Sequence, residues 1–417
     1  MTSPIWHPFT QHALFPTMRK IDRAEGAWLY AADGARIFDA ISSWWVVTHG
    51  HNHPHIVNAI KTQADLLDQV IFAGYTHDPA ERFAAKLLAR LPDALTRVFF
   101  SDSGSTAVEV AIKMALGYWR HAGDGRSGLI VMEGGYHGDT VGTMSAGQRG
   151  VFNQPYDPLL FAVETLPFPN PGQQQTTLDR LEVLCRTGRM AAFLVEPLVL
   201  GAGGMHFYPP ALLAQMAAIC AQHQVLLIAD EVMTGWGRTG SFLACDQASV
   251  VPDILCLSKG ITGGSLPLAV TLCQEPVYGA HYSRDRAKTF FHSSSYTANP
   301  IACAAAAANL DLWDETPVQA EIDRVAAVQA QGAARMAGLR GLSGVRQIGT
   351  ILAAEIEAPA DSYMSSLGPE LLAFFAARNL LIRPLGNTIY LLPPYCSTAA
   401  ELTACHDAIA EAADVFA

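Results

Sequence analysis

Short apolar runs alternate with helix-forming stretches through the middle of this chain, and this alternation limits the folds open to it. Thr106 to Tyr118 and Pro210 to His223 carry apolar residues at helical spacing. The runs with the length and residue types of buried strands are 97–100, 128–132, 191–195, 225–229, 254–257 and 268–272. Strands that alternate with helices predict an α/β fold, in which helices cover both faces of a mostly parallel sheet. Ligands of such sheets bind beyond the carboxyl ends of the strands.

The pattern changes character in the last hundred residues. Helices are predicted at 301–312, 318–337 and 369–378, with short strands near 345–348 and 353–356. This part is expected to form a smaller α+β domain, against which an N-terminal hairpin at 26–38 would pack. We therefore predict a large domain over residues 46–310, and a small domain formed by residues 1–45 and 311–417.

Composition excludes several classes of function. The 417 residues carry a formal charge of −11 and no cluster of lysine and arginine, so a nucleic-acid partner is not expected. No apolar run reaches the length of a membrane span, and the N-terminus does not resemble a signal peptide. The eight cysteines are scattered and without a CxxC motif, which is typical of reduced thiols. A cytoplasmic protein is expected.

A lysine and an aspartate follow two of the predicted strands. Lys259 comes after the run 254–257 and precedes a glycine-rich turn, and Asp230 follows the run 225–229. A lysine at the end of a buried strand is costly to desolvate unless it is neutral, paired or covalently used. Enzymes that use pyridoxal phosphate (PLP) need a lysine for the Schiff base and an acid for the pyridinium nitrogen. Together the two residues predict a PLP site, although either alone is also typical of a solvated loop.

Two further turns fit such a site. Ser103 and Gly104 lie where a predicted strand gives way to a helix, and the free N–H groups of a helix N-terminus bind phosphate. An ordinary helix cap is the alternative for this turn, since serine is common there. Tyr136 lies between glycines, so its ring could stack on a planar cofactor, or it could be a partly buried turn residue.

Alternating histidines suggest a metal site at first sight. His49, His51, His53 and His55 follow one another at every second position. Gly50 and Pro54 interrupt any regular strand there, and no cysteine or acidic ligand stands nearby, so no metal is expected.

The order of the motifs carries a family resemblance. They are Ser103-Gly104-Ser105, Gly135-Tyr136-His137-Gly138-Asp139, Glu196-Pro197, Ala229-Asp230-Glu231-Val232, Gly235-Trp236-Gly237-Arg238-Thr239-Gly240 and Ser258-Lys259-Gly260. This series resembles the class III (subgroup II) PLP-dependent aminotransferases of fold type I over nearly the whole chain. Segments 5–10, 43–45, 201–205 and 391–395 resemble the branch of that class that uses adenosylmethionine to aminate 8-amino-7-oxononanoate.

The resemblance implies roles for individual residues. Lys259 would carry PLP and move a proton, Asp230 would pair with the ring nitrogen, and Tyr136 would stack on the ring. Cofactor binding would also involve Ser103, Gly104, Val232, Ser294 and Ser295, with Ser295 supplied by the partner subunit of a homodimer. The resemblance implies that substrate is bound by Phe9, Trp44, Tyr136, Arg238, Lys259, Ser293 and Arg383.

The implied reaction is transamination of 8-amino-7-oxononanoate to 7,8-diaminononanoate, a step of biotin biosynthesis. A tryptophan wall and one arginine suit a small-molecule acceptor with an alkyl chain and a distant carboxylate. Phe9 stands where users of adenosylmethionine usually carry tyrosine, and Ser293-Ser294-Ser295 departs from a Gly-Pro-Thr segment. Lysine as donor, another class III ω-amino acid aminotransferase, and a non-catalytic PLP-binding protein are the alternatives.

Overall fold

The structure is a computed structural model that describes residues 4–15, 17–357 and 367–417. Its strands are β1 (Ile21–Glu25), β2 (Trp28–Ala31), β3 (Arg36–Asp39), β4 (Leu95–Ser101), β5 (Gly128–Met132), β6 (Glu164–Leu166), β7 (Met190–Val195), β8 (Val199–Leu200), β9 (His206–Phe207), β10 (Leu226–Asp230), β11 (Ile254–Leu257), β12 (Ala269–Gln274), β13 (Leu342–Ile348), β14 (Ile351–Ile356), β15 (Leu380–Leu381) and β16 (Thr388–Leu391). Its α-helices are α1 (Ser42–Trp45), α2 (Pro54–Ala64), α3 (Asp78–Leu88), α4 (Gly104–His121), α5 (Val141–Ala146), α6 (Gln174–Arg186), α7 (Pro210–Gln222), α8 (Ala244–Gln247), α9 (Glu275–His281), α10 (Pro300–Glu315), α11 (Val318–Met336), α12 (Leu367–Ala377) and α13 (Ala399–Phe416). Short 3₁₀ helices form at Gln154–Leu159, Lys259–Thr262 and Arg286–Lys288.

A seven-stranded sheet of order β4-β12-β11-β10-β7-β5-β6 forms the centre of the molecule. Pairs β11–β10, β10–β7, β7–β5 and β5–β6 are parallel, whereas β12 runs antiparallel to both β11 and β4. The predicted α/β fold with a mostly parallel sheet is thus confirmed.

Apolar residues cover the central sheet on both faces. Along β11, Leu255 and Leu257 belong to one buried cluster, while Ile254 and Cys256 pack into another cluster together with helix α4. Strands buried on both sides read as continuous apolar runs, which is why their positions could be predicted. Packing on both faces of the sheet also holds the ends of its strands in place.

The ends of the chain meet in smaller sheets. The predicted N-terminal hairpin is formed by β2 and β3, and it belongs to a sheet of order β1-β2-β3-β15. Strand β15 comes from the C-terminal part and pairs in parallel with β3, with Leu381 opposite Asp39. Strands β13, β14 and β16 form a separate antiparallel sheet. The exact boundaries of the two predicted domains remain a prediction.

Two general properties of the chain can be read from the described residues. Within them no helix is both long and apolar enough to cross a membrane. The cysteines are free thiols, and Cys396 is the exposed one among them. The cytoplasmic location stays a prediction.

Polar residues follow the parallel strands at a single edge of the central sheet. Asp230 ends β10, Lys259 comes two residues after β11, and Glu196 follows β7 directly. The turn into helix α4 follows β4 at the same edge, and the segment that contains Tyr136 follows β5. The fold therefore places these side chains together, as expected for a parallel sheet.

Candidate active site

An inner cavity of about 130 Å³ lies at this edge of the sheet. It is lined by Trp45, Gly104, Ser105, Tyr136, His137, Gly138, Glu196, Asp230, Val232, Met233 and Lys259. The lining includes the predicted residues Gly104, Tyr136, Asp230, Val232 and Lys259, which come from separate parts of the chain. Sequence-distant residues with complementary chemistry are thus gathered around one small volume.

Asp230 is buried and bonded to a buried histidine. One carboxylate oxygen lies 2.7 Å from Nδ1 of His137, and the other accepts a bond from the Val232 N–H at 3.1 Å. Burial opposes protonation of His137, but the bond to Asp230 and the charge of Asp230 outweigh it and raise the pKa of the ring. Among the described residues, Nε2 of His137 is buried without a hydrogen-bond partner. The pair holds the Asp230 carboxyl group at the wall of the cavity.

Lys259 reaches the same cavity from a strained turn. Its φ of +46° lies in the left-handed region, and it begins the short 3₁₀ helix after β11. Nζ of Lys259 lies 4.8 Å from the ring centroid of Trp45. Burial lowers the pKa of Lys259 to about 8, although Asp230 and Glu196 act in the opposite direction. About a tenth of the amines are therefore neutral at pH 7 and about half at pH 8, far more than for an ordinary lysine, and a neutral amine is a nucleophile.

The N-terminus of helix α4 closes one side of the cavity. Ser103 caps the helix through a reciprocal pair of bonds with Thr106, so its hydroxyl is engaged in the cap. A Cβ atom at Gly104 would lie 2.6 Å from Cγ1 of Val232, so only glycine lets these two cavity walls approach. Ser103 itself is exposed and stands beside the cavity, while Gly104 and Ser105 line it.

An outer cleft of about 400 Å³ opens from the inner cavity. Its walls are Pro8, Phe9, Trp44, Trp45, Tyr136, Asp139, Phe152, Ala202, Lys259, Arg383, Pro384, Leu385 and Tyr390. The predicted substrate residues Phe9, Trp44, Tyr136, Lys259 and Arg383 thus share one cleft. Most of its walls are aromatic or aliphatic.

Three of these residues contact one another at the mouth of the cleft. The Phe9 ring centroid lies 5.6 Å from that of Trp44. Nη2 of Arg383 donates to the Phe9 carbonyl at 3.0 Å, and its guanidinium carbon lies 5.6 Å from the Trp44 ring centroid. The guanidinium thus stands over an aromatic wall and keeps further N–H groups for an anion.

Arg238 is not brought into either cavity. It is fully buried, and its guanidinium donates to the carbonyls of Pro393 at 3.0 Å, Val47 at 2.8 Å and Trp45 at 3.4 Å. These bonds direct the side chain at the backbone beneath the cleft. The predicted role of Arg238 in substrate binding stays a prediction, while its contacts are those of a support for the Trp45 segment.

The three consecutive serines also lie outside the cavities of this chain. Ser293 and Ser295 are exposed, and the Ser294 hydroxyl donates to the carboxylate of Asp102. Their predicted roles require a second subunit that brings this loop to the cofactor, and those roles stay predictions.

The alternating histidines point to separate partners. His49 bonds to Asn309 at 2.8 Å, His51 to Asp39 at 2.8 Å and His55 to Asp311 at 3.2 Å. In the part of the chain that the structure describes, no group of three or more His, Cys, Asp or Glu side chains could hold a metal. His49 and His51 thus tie their loop to neighbouring elements, and His55 ties the start of helix α2 to helix α10.

Sequence reasoning missed two buried residues of the inner cavity. Glu196 accepts the N–H groups of Tyr136 and Gly201, each at 3.0 Å, and burial raises the pKa of its carboxyl to about 7. His137, the other, is the partner of Asp230. Glu196 directly follows a buried parallel strand, so the rule that found Asp230 could have found it. The role of His137 depends on a tertiary contact that no local pattern reveals.

Comparisons with known proteins agree with this geometry. A family model described as aminotransferase class-III matches residues 10–413. The adenosylmethionine-8-amino-7-oxononanoate aminotransferase of Synechococcus elongatus is 46% identical over 424 residues, which cover 98% of each chain. The protein of that name from Geobacter sulfurreducens is 37% identical, covering 95% of this chain and 93% of its own.

Solved structures of aminotransferases also align with nearly the whole chain. The crystal structure of adenosylmethionine-8-amino-7-oxononanoate aminotransferase from Methanocaldococcus jannaschii aligns with a TM-score of 0.94 at 33% identity, covering 99% of this chain and 97% of that one. A PLP-bound amine transaminase from an uncultivated Pseudomonas species aligns with a TM-score of 0.91 at 31% identity, covering 99% and 98%. The predicted fold type I architecture is confirmed, and the chain belongs to the class III aminotransferases.

Proposed function

We propose that this protein is a PLP-dependent aminotransferase that converts 8-amino-7-oxononanoate to 7,8-diaminononanoate in biotin biosynthesis. One observation carries the proposal: a reactive lysine, an aromatic wall and a single arginine line the same cleft of about 400 Å³. The relatives named for this acceptor match nearly the whole chain. Cavity, chemistry and relatives point to one substrate class.

The inner cavity fits PLP. A buried carboxylate at Asp230 suits a protonated pyridine nitrogen, and Lys259 supplies the amine that the cofactor needs. Tyr136 and Val232 line the cavity between these groups, and the start of helix α4 offers N–H groups to a phosphate. When bound, PLP supplies an electron sink that stabilises negative charge on the substrate carbon.

The protein's own groups then have distinct tasks. Lys259 holds the cofactor through Nζ and, once displaced by substrate, takes and returns the proton at the reacting carbon. Asp230, kept in place by His137 and the Val232 N–H, keeps the pyridine nitrogen protonated. Glu196 fixes the backbone of Tyr136, and so the ring that covers the cofactor.

The outer cleft selects the acceptor. Trp44 and Phe9 present apolar surface to an alkyl chain, and burial of that chain favours binding. Arg383 offers a planar fork to the terminal carboxylate. The acceptor carbonyl would lie toward Lys259 at the inner end of the cleft, with the carboxylate at the mouth.

The proposed amino donor is adenosylmethionine, with lysine as the second candidate. The relatives are named for adenosylmethionine, and the ring of Phe9 in the outer cleft offers an apolar surface to an adenine. We further propose a homodimer in which Ser295 of the partner subunit completes the phosphate site, since the serine loop of one chain is exposed.

The test is a set of separate half-reactions. The PLP form is mixed with adenosylmethionine, lysine, alanine or a simple amine, and the loss of the visible absorbance of the bound cofactor is followed. The aminated enzyme is then mixed with 8-amino-7-oxononanoate, and its absorbance should return. Discharge by lysine alone would replace the donor and keep the product, whereas failure of this acceptor to restore the absorbance would refute the function.

A further inference from the structure

The segment that carries the two cleft tryptophans is strained. Ser42, Ser43 and Trp45 have φ values of +55°, +60° and +66°, in the left-handed region that non-glycine residues avoid. Trp44, between them, departs from helical geometry as well, with φ −123° and ψ +57°. Such a conformation persists only where the surroundings impose it, and strain of this kind clusters at functional sites.

A buried carboxylate imposes that conformation on the Trp44 side. Asp39 is fully buried, and its two oxygens lie 2.8 and 2.7 Å from the backbone nitrogen of Ser43. It also accepts bonds from the Ser43 hydroxyl at 3.2 Å and the Ile41 N–H at 3.4 Å, and His51 Nε2 lies 2.8 Å away. Charged acceptors make stronger hydrogen bonds than neutral ones, so one side chain holds the Ser42–Ser43 peptide and the Ser43 hydroxyl, one residue before Trp44.

Asp39 is itself fixed by the fold. It ends strand β3, which pairs with β2 and β15, and its own N–H donates to the Ala27 carbonyl at 2.9 Å. Both ends of the strained segment have anchors of their own, since the Ser42 hydroxyl donates to the Leu392 carbonyl at 2.7 Å and Arg238 donates to the Trp45 carbonyl at 3.4 Å. Asp39 holds the middle of the segment through Ser43, the residue directly before Trp44, whose ring faces Phe9 and Arg383 in the outer cleft.

We propose that Asp39 is a positioning residue for the acceptor: by holding the strained Ser42–Trp45 segment from beneath, it fixes Trp44 as the wall of the outer cleft. The inference rests on the proposed function, because it gives Trp44 the alkyl chain of the acceptor to hold. Asp39 does not line either cavity and does not touch substrate, so its effect passes through Trp44.

The experiment is a double-mutant cycle between Asp39→Asn and Trp44→Ala, with the acceptor and donor half-reactions measured separately. Asparagine keeps the size of the side chain and removes its charge. We expect the KM for the acceptor to rise about tenfold, the loss of one charge-assisted hydrogen bond, with the donor half-reaction unchanged within about twofold. In the Trp44→Ala background Asp39→Asn should add almost nothing, because its effect acts through the missing ring.

Asp253→Asn is the matched control. Asp253 is a half-buried aspartate whose carboxylate also accepts a backbone N–H, that of Leu227 at 2.8 Å, but it precedes β11 at the opposite end of the strand from Lys259. It should leave the KM for the acceptor unchanged. Additive effects of Asp39→Asn and Trp44→Ala, or equal damage to both half-reactions, would overturn the proposal.

A second variant keeps the test decisive if Asp39→Asn alone does not fold. Ser43→Gly supplies the positive φ without strain, so it should restore folding of Asp39→Asn, and the cycle is then measured in that background. If the wild-type enzyme aminates a different acceptor, the proposed function is wrong, but this result does not bear on the role of Asp39. The same cycle measured with that acceptor still decides the role of Asp39.

Discussion

Burial governs the chemistry of Lys259 more than any neighbouring charge. Two acids face the amine, and each would raise its pKa, yet desolvation dominates and lowers the pKa from 10.5 to about 8. A residue of this kind can be a nucleophile at a pH where surface lysines are protonated. Burial shifts the pKa of the Glu196 carboxyl in the other direction, up to about 7, because it disfavours the charged form of either group.

The rate at which apoprotein attaches PLP covalently should therefore rise with pH, reach half of its maximum near pH 8, and level off about one to two pH units above that, where the Lys259 amine is almost fully neutral. Borohydride trapping followed by peptide mapping measures the rate at each pH and should place the adduct on Lys259. Lys259→Ala should bind the cofactor only non-covalently and show no transamination. A rate that keeps rising to pH 10.5, the ordinary value for lysine, would contradict the lowered pKa.

Replacing Asp230 by asparagine should lower turnover by about a thousandfold, ~4 kcal/mol of barrier, because the pyridine nitrogen loses the partner that keeps it protonated. The pKa of His137 should fall in the same variant, since Asp230 is what raises it. Both are measurable, by stopped-flow kinetics and by NMR titration of the imidazole. Activity within about tenfold of the wild type would assign the ring partner elsewhere.

Arg383→Ala should weaken the acceptor selectively. Truncating one partner of a desolvated charge pair removes about 2–5 kcal/mol, so the KM for 8-amino-7-oxononanoate should rise by at least about thirtyfold. The donor half-reaction should change little. Arg378→Ala is the control. Arg378 directly follows helix α12 and pairs with Glu411 of helix α13, and it is not among the residues that line the cleft. Equal damage to both half-reactions would make Arg383 a structural residue.

At the scale of elements, adjacent acids at the end of β10 take different tasks. Asp230 faces the inner cavity, whereas Glu231 accepts the N–H groups of Ala244 and Cys245 at 2.7 and 2.8 Å and so holds the start of helix α8. Side chains that alternate across a strand account for this division. The sequence Asp-Glu alone gives no reason to prefer one acid; Asp230 is predicted because it directly follows the apolar run 225–229, and the family resemblance agrees.

Elements buried on both faces were the predictable ones. Strands β5 and β11 were predicted with their observed bounds, because continuous apolar runs end abruptly at polar turns. The antiparallel direction of β12 was not predicted, since a strand's apolar pattern does not encode its direction. Likewise Ser42 and Arg238 bond to backbone groups far along the chain, and no local pattern records such partners.

At the scale of the whole molecule, the site should need two chains. We expect a homodimer in sedimentation at assay concentrations, with two-fold symmetry. Lys259→Ala and Ser295→Asp variants should each be inactive alone, the latter because a carboxylate repels the phosphate. Dissociated together and reassociated, they should recover about a quarter of the sites, because half of the random dimers carry one intact site. No recovery would place Lys259 and Ser295 of a working site on the same chain.

The bond between Arg383 and the Phe9 carbonyl joins residues 374 positions apart, and β3 pairs with β15 over a similar span. During synthesis on the ribosome, the residues of the central sheet emerge long before strand β15 exists. The substrate cleft can therefore be completed only after the C-terminal residues have been made and have packed against the N-terminal hairpin. A chain that stops before β15 lacks Arg383 and the strand that pairs with β3, so we expect it to have no pocket for the acceptor. Contacts between segments that lie far apart in sequence also slow folding. We therefore expect partly folded chains without the completed cleft to persist, and to be the form that chaperones bind.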